Sequence, residues 1–226
     1  MRNALSTLVI IAAVAAWLAS SFLWAQSTRL HGGGGWFWVQ YGGLMGLDRL
    51  ANALKAQGLS YQAPGACVGI GGGGGGYLGR FHIGGEGGTF FGQKVSGGGG
   101  WARIGYFFPL GGGLLIMPVA MVGGGGLDFQ IREDASPVPF DQVATTTTYL
   151  SWMGTGGALV GGAIEVQKNF GGFLMGISAG YVAGPGWKDW EGLDGRRISG
   201  GPQVSFGMPY LRLQIGGGGW TSPQKN

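Results

Sequence analysis

Charge is scarce in this sequence. Asp, Glu, Lys and Arg make up 11% of its 226 residues, against about 25% in ordinary soluble domains. So little charge argues against a disordered tail and against a conventional soluble surface. The formal net charge is +4. It gathers in no Lys/Arg cluster beyond the pair Arg196–Arg197, which reads as a solvated loop, so nucleic acid is not an expected partner. Cysteine occurs once, at Cys67, which excludes an intrachain disulfide. Histidine occurs only at His31 and His82. His82 and Glu86 share a strand face but stand about 13 Å apart along it, too far to hold one ion. No metal and no cofactor are expected.

What the chain has in excess is glycine, 54 residues. The glycines come in runs and not at every third position, which excludes collagen. Hydrophobic residues are 45% and aromatics 12%, too many for a disordered chain. The first 25 residues form a targeting segment. Arg2 is the positive start, Leu8–Leu18 the apolar run, and Ala25 the cleavage point before Gln26. A retained anchor is the competing reading. Residues 26–226 then make one domain.

In that domain eight segments read as strands: Gly32–Gly43, Ala66–Leu78, Arg80–Phe91, Gly97–Phe108, Leu114–Arg132, Thr147–Phe170, Phe173–Ala183 and Gln203–Trp220. Period two supports most of them. Phe81, Ile83, Thr89 and Phe91 alternate with Arg80, His82 and Glu86. Leu115, Met117, Val119, Met121, Leu127, Phe129 and Ile131 share one face of their segment. Gly97–Phe108 alternates poorly, with Arg103 on the face of Trp101 and Phe107. The last segment changes phase near Pro209, which predicts a bulge there. Leu47, Leu50, Ala51 and Leu54 fall on one helical stripe, with Gly58 as its stop. Transmembrane helices are disfavoured. Glycine costs about 1 kcal/mol per helical position relative to alanine, and the uncharged stretch Ile104–Leu127 carries Gly111–Gly113, Gly123–Gly126, Pro109 and Pro118.

The connections alternate in length. Links Leu44–Gly65, Glu133–Thr146 and Gly184–Pro202 are long, with Gly92–Ser96 the one short member of that set. Gly79, Pro109–Gly113 and Gly171–Gly172 are tight turns. Long loops at one end, tight turns at the other, an even strand count and a leading targeting segment resemble bacterial outer-membrane β-barrels from Gly32 to Trp220. The resemblance implies an all-β fold: a closed, antiparallel, up-and-down barrel of about eight strands, with one short helix between strands one and two. It also implies outer-membrane lipid as surroundings. The chain departs from such barrels in continuing from Trp220 through Thr221–Asn226, where they commonly end on an aromatic residue.

Glycine weakens a strand unless another backbone approaches closely. Laid on the up-and-down order, Gly32, Gly33, Gly34 and Gly35 fall beside Gly73 and Gly74, Gly85 and Gly87, and Gly217 and Gly218. This is read as a packing patch by which the protein meets copies of itself in a tube or filament. The competing explanation is that glycine lets a small barrel bend. Arg80, His82, Glu86 and Glu165 are expected to form a polar network in the barrel interior, because buried charges need partners. Gly176-Ile177-Ser178-Ala179-Gly180 matches the nucleophile elbow G-x-S-x-G, but Ser178 lies inside a strand and lacks the strand-to-helix turn the chemistry requires. Gly69–Gly76 matches G-x-G-x-x-G without a following helix and is discarded. The expectation is a non-catalytic structural barrel that self-assembles at or beyond the cell surface. The alternative is a monomeric outer-membrane barrel with a transport or anchoring role.

Overall fold

The computed structural model describes residues 31–59, 61–62, 65–131, 152–192 and 195–221. The targeting segment, and the strand positions assigned to Arg132 and to Thr147–Ser151, lie outside them. The elements are β1 (His31–Gly42), α1 (Asp48–Ala56), β2 (Cys67–Leu78), β3 (Phe81–Gly92), β4 (Val95–Tyr106), β5 (Phe108–Gly111), β6 (Leu114–Gln130), β7 (Trp152–Asn169), β8 (Phe173–Trp187), β9 (Trp190–Gly192), β10 (Arg197–Ile198) and β11 (Val204–Thr221).

Every strand pair is antiparallel, and β1 pairs with β11 to close the wall. β4 and β5 are one wall strand broken at Phe107, and both pair with β6. The result is a closed eight-stranded barrel with one short helix between β1 and β2. The stagger can be followed from Gly35. Its partners in turn are Gly74, Gly85, Ala102, Val122, Val160, Ala183 and Gly207. Gly207 bridges back to Met45, ten residues along from the start. A closed sheet with such a stagger has strands tilted to its axis.

The pleat puts alternate residues inside and outside. Outside lie Phe37, Val39 and Tyr41 on β1, Met175, Ile177 and Tyr181 on β8, and Leu211, Leu213 and Ile215 on β11, all exposed. Inside lie Trp38, Gln40, His82, Glu86, Arg103, Glu165 and Arg212, all buried. An apolar exterior over a closed, antiparallel wall is the architecture of outer-membrane-type barrels. The apolar face of β6, with Leu115, Met117, Leu127 and Phe129, points inward and is core.

Gly79–Arg80, Gly112–Gly113 and Phe170–Gly172 make the tight-turn end. The long-link end carries α1, the two-residue hairpin Gln93–Lys94 and the β9–β10 ribbon paired to β7. α1 buries Leu50 and Leu54, and Asp48 and Lys55 oppose the two ends of its dipole. It stops at Gly58, whose φ of +79° only glycine adopts freely. The Leu59 amide bonds the Leu54 carbonyl and the Gly58 amide bonds the Lys55 carbonyl, so the exposed carbonyls of the last turn are satisfied.

Two boundary expectations are corrected. β8 runs to Trp187 and does not stop at Ala183, because β11 continues to pair with it as far as Val204. No bulge occurs at Pro209, which pairs regularly with Tyr181. The irregularity lies further along the pair, where Pro185 and Gly186 on β8 together face Ser205, whose hydroxyl accepts the Gly186 amide at 2.9 Å. On its other side Pro209 accepts the Gly43 amide, and Met45 and Gly207 exchange two bonds in the same register, so the missing N–H of Pro209 is a local gap in the pairing with β1.

The inward glycines of β2 have a steric cause. A Cβ on Gly73 would stand 2.5 Å from the Glu86 Cβ, one on Gly75 2.6 Å from His82 Nε2, and one on Gly71 inside the Trp38 ring. On β3, a Cβ on Gly88 would stand 2.5 Å from Trp38 Cη2. Overpacking of this kind costs about 1–3 kcal/mol or more per site. Gly88→Val is therefore expected to lower the urea midpoint of the detergent-folded barrel clearly. Gly100→Val, on the outer face with its nearest neighbour 3.9 Å away, is expected to shift it little.

Candidate functional site: the charged layer inside the barrel

Glu86, at the middle of β3, is the centre of the interior. Its two oxygens receive Arg212 Nη1 at 2.6 Å and Arg103 Nη1 at 2.9 Å. The indoles of Trp101 and Trp36 donate to the same carboxylate at 2.6 and 3.3 Å. Arg103 continues across the lumen to Glu165 at 2.6 Å. Glu165 also accepts from Gln167 at 3.1 Å and Gln214 at 3.4 Å, and Gln167 accepts from the Tyr77 hydroxyl at 3.0 Å. Arg212 reaches Gln40 on β1 at 3.0 Å. The guanidinium of Arg212 stacks over Trp38 at 4.3 Å, and that of Arg103 over Trp36 at 5.0 Å.

Two arginines and two glutamates balance to zero inside the wall. Their side chains are essentially inaccessible. Strands β1, β2, β3, β4, β7 and β11 contribute, so the network ties together wall positions far apart in sequence. Above it, at the long-link end, Leu47, Leu50 and Leu54 join Tyr61, Phe129 and Trp190 in the hydrophobic core. Below it Tyr77 meets Phe107 and Trp220 edge to face. Both ends of the polar layer are therefore closed by packed side chains.

Glu86 and Glu165 lie at the heart of this network. His82 is buried beside it, 4.9 Å from the Tyr77 ring and 5.5 Å from the Trp36 ring, centre to centre. Arg80 is at the β2–β3 turn and turns to the Tyr106 hydroxyl. Arg103 and Arg212 were the residues missed. Arg212 and Gln214 alternate with Leu211, Leu213 and Ile215, a signal obscured by the phase change assumed at Pro209. Arg103 was hidden because its inward neighbours, Trp101 and Gly105, are not charged.

The ten glycines assigned to one patch are neighbours across β11, β1, β2 and β3. They split between the two faces of the wall. Gly32, Gly34, Gly73 and Gly218 point in, whereas Gly33, Gly35, Gly74, Gly85, Gly87 and Gly217 point out. Ser178 is in mid-strand with its hydroxyl inside the barrel, opposite Arg212 and Glu165. The strand continues past it to Trp187 in place of a turn into a helix, so the nucleophile elbow is not formed.

No family model and no curated protein matches the chain. Among solved structures it is similar to Neisserial surface protein A, at 8% identity over 82% of this chain and 96% of that one, TM-score 0.42. It is similar to Ail, the attachment invasion locus protein of Yersinia pestis, at 11% identity over 83% and 97%, TM-score 0.41. It is also similar to the N-terminal β-barrel domain of Pseudomonas aeruginosa OprF, at 12% identity over 82% and 98%, TM-score 0.40.

Removing one member of a buried ion pair costs about 3–5 kcal/mol, because the other charge is left unpaired. Arg103→Met is expected to destabilise the folded barrel by about that much in urea titrations. Arg103→Met combined with Glu165→Leu is expected to cost less than the sum of the two single changes.

Proposed function

We propose that the chain is a monomeric outer-membrane barrel whose role is to anchor and present its long links at one face of the membrane. The observation that carries this is the filled lumen inside an apolar exterior. Exposed Phe37, Val39, Ile177, Leu211 and Leu213 suit hydrocarbon. The interior is occupied by the Glu86–Arg103–Arg212–Glu165 layer and closed by the core around α1. An eight-stranded barrel has little room beyond its own side chains, so a transport role finds no path. Among the described residues no nucleophile, base and orienting group converge inside it, which supports a non-enzymatic role. Export to the outer membrane follows from this reading and from the targeting segment.

The observation favouring a second reading is on the outer wall. Cβ atoms placed on Gly35, Gly76, Gly85, Gly100, Gly124 and Gly217 would meet nothing closer than 3.5 Å. The barrel does not require glycine there, and glycine gives almost no transfer energy to a lipid-facing surface. Side-by-side contact of two barrels along this band would use it, as small residues do between membrane helices. This keeps the self-association inferred from the sequence, but between embedded barrels and not as a soluble tube.

The protein is expected to sediment with membranes, to need detergent for extraction, and to give no ion conductance in planar bilayers. Steady conductance steps would overturn the anchoring role. Extraction as a detergent-free polymer would overturn the membrane location. In detergent, light scattering is expected to give the mass of one barrel. A two-barrel mass that Gly100→Trp returns to one would establish the second reading in its place.

A further inference from the structure

Pro209 interrupts the seam between β1 and β11. The Gly43 amide donates to the Pro209 carbonyl at 3.0 Å, and further along Met45 and Gly207 exchange bonds at 2.9 and 3.1 Å. In that register Pro209 should return a bond to the Gly43 carbonyl, but proline has no N–H. The Gly43 carbonyl is therefore left without its ladder donor. Gly43 continues the outward series of Phe37, Val39 and Tyr41, so the gap opens on the outer face of the wall.

A hollow of about 370 Å³ lies over this gap, lined by Gly43 and Pro209 together with Tyr41, Ala179 and Leu211. It exists because the outward positions here are small or turned aside. Gly43 has no side chain and Ala179 only a methyl. Tyr181, which faces Pro209 across the β8–β11 pair, leans instead over Gly207, where a Cβ would fall on the Tyr181 hydroxyl. The outward side chains around the hollow are apolar apart from the Tyr41 hydroxyl. Toward the tight turns, exposed Leu213, Ile215 and Ile177 continue the apolar wall.

One acceptor in an apolar hollow selects its occupant. An ordered water is held by about 2–4 polar partners, and the backbone here offers one. An ammonium group would leave bulk water for a hollow with no carboxylate in its lining. A plain hydrocarbon chain would fill the space but leave the carbonyl unbonded against an apolar medium, which is costly. A hydroxyl carried on a hydrocarbon chain meets both demands. We propose that the hollow beside Pro209 binds the hydroxyl-bearing hydrocarbon chain of a membrane lipid. The hydroxyl donates to the Gly43 carbonyl, and the chain runs down the wall over Leu211 and Leu213. The source of this ligand rests on the membrane-embedded reading of the barrel, but binding is measured in micelles and can fail while the protein still sediments with membranes.

The test is nuclear magnetic resonance of the carbonyl-labelled, full-length protein folded in dodecylphosphocholine, a detergent without a hydrogen-bond donor. The reading is the chemical shift of the Gly43 carbonyl carbon. Added 1-dodecanol is expected to move it downfield and to saturate. Dodecyl methyl ether, a matched chain without an O–H, is expected to leave it in place. No movement with the alcohol, as follows if water already serves the carbonyl, overturns the proposal, and so does equal movement with the ether. Pro209→Ala supplies the missing N–H. It is expected to weaken the alcohol's binding by about tenfold or more while the urea midpoint holds or rises. Ala179→Phe, on the exposed outer face, fills the hollow from β8 without touching the carbonyl and is expected to weaken binding likewise. An undiminished response in either variant places the alcohol elsewhere and overturns the site.

Discussion

The carboxylate of Glu86 is the contact on which the inside of this barrel depends. It sits where hydration is replaced by two guanidinium groups and two indoles. A lone carboxylate in such a place would be far too costly to keep ionised. With Arg103 and Arg212 it becomes the hub that joins β3 to β4 and β11, and through Arg103 to Glu165 on β7. The pairs add geometric specification even if their net energy is small, because only one strand stagger brings these four charges into register. A slip of one residue would turn Glu86 outward onto the apolar exterior, since the side-chain period is two.

That hub sets the steric problem the glycines solve. Trp38, His82, Glu86 and the two arginines crowd one level of a narrow wall. The adjacent inward positions on β2 must then be empty, and Gly71, Gly73 and Gly75 are. The same complementarity recurs at Gly157, where a Cβ would stand 2.8 Å from the Trp187 ring, and at Gly180, 2.6 Å from the Tyr210 hydroxyl. Inward glycines such as these are the counterparts of large side chains on neighbouring strands, whereas a Cβ on Gly32, Gly34 or Gly218 would meet the backbone of the facing strand. The outward half has no such counterpart. Two pressures act on alternate residues of one run, which is why the runs look uniform in sequence while their causes differ.

This also marks how far the fold and the site were legible in the sequence. Strand count, closure, the α1 stripe and its Gly58 stop follow from period-two alternation, turn residues and helical spacing, which are local signals. Which face is inside is not local. On β6 the apolar set faces the lumen, and on β11 it faces outward, so hydropathy alone cannot orient a strand that has apolar residues on the outer wall and a mixed core inside. Glu86 and Glu165 could be assigned to the interior because each is isolated among apolar and glycine residues. Their arginine partners come from β4 and β11, at sequence separations that no single-strand pattern reports. Arg80 is placed by chain geometry instead: two residues before His82 it has already left the ladder for the turn, where Tyr106 meets it.

The same closed interior bears on what the protein can do. A pore through this barrel would have to part Arg103 from Glu86 and Glu165, or Arg212 from Glu86, in a place where water cannot fully replace the lost bonds. It would also have to lift Leu47, Leu50 and Leu54 out of the core. Each of these steps is unfavourable alone, and a through-path needs them together. Rigidity of that kind is of little use to a channel. It suits a wall whose value lies in what it holds at its rim, where the chain departs from the ladder into α1 and the β9–β10 ribbon and its sequence is no longer constrained by the lumen.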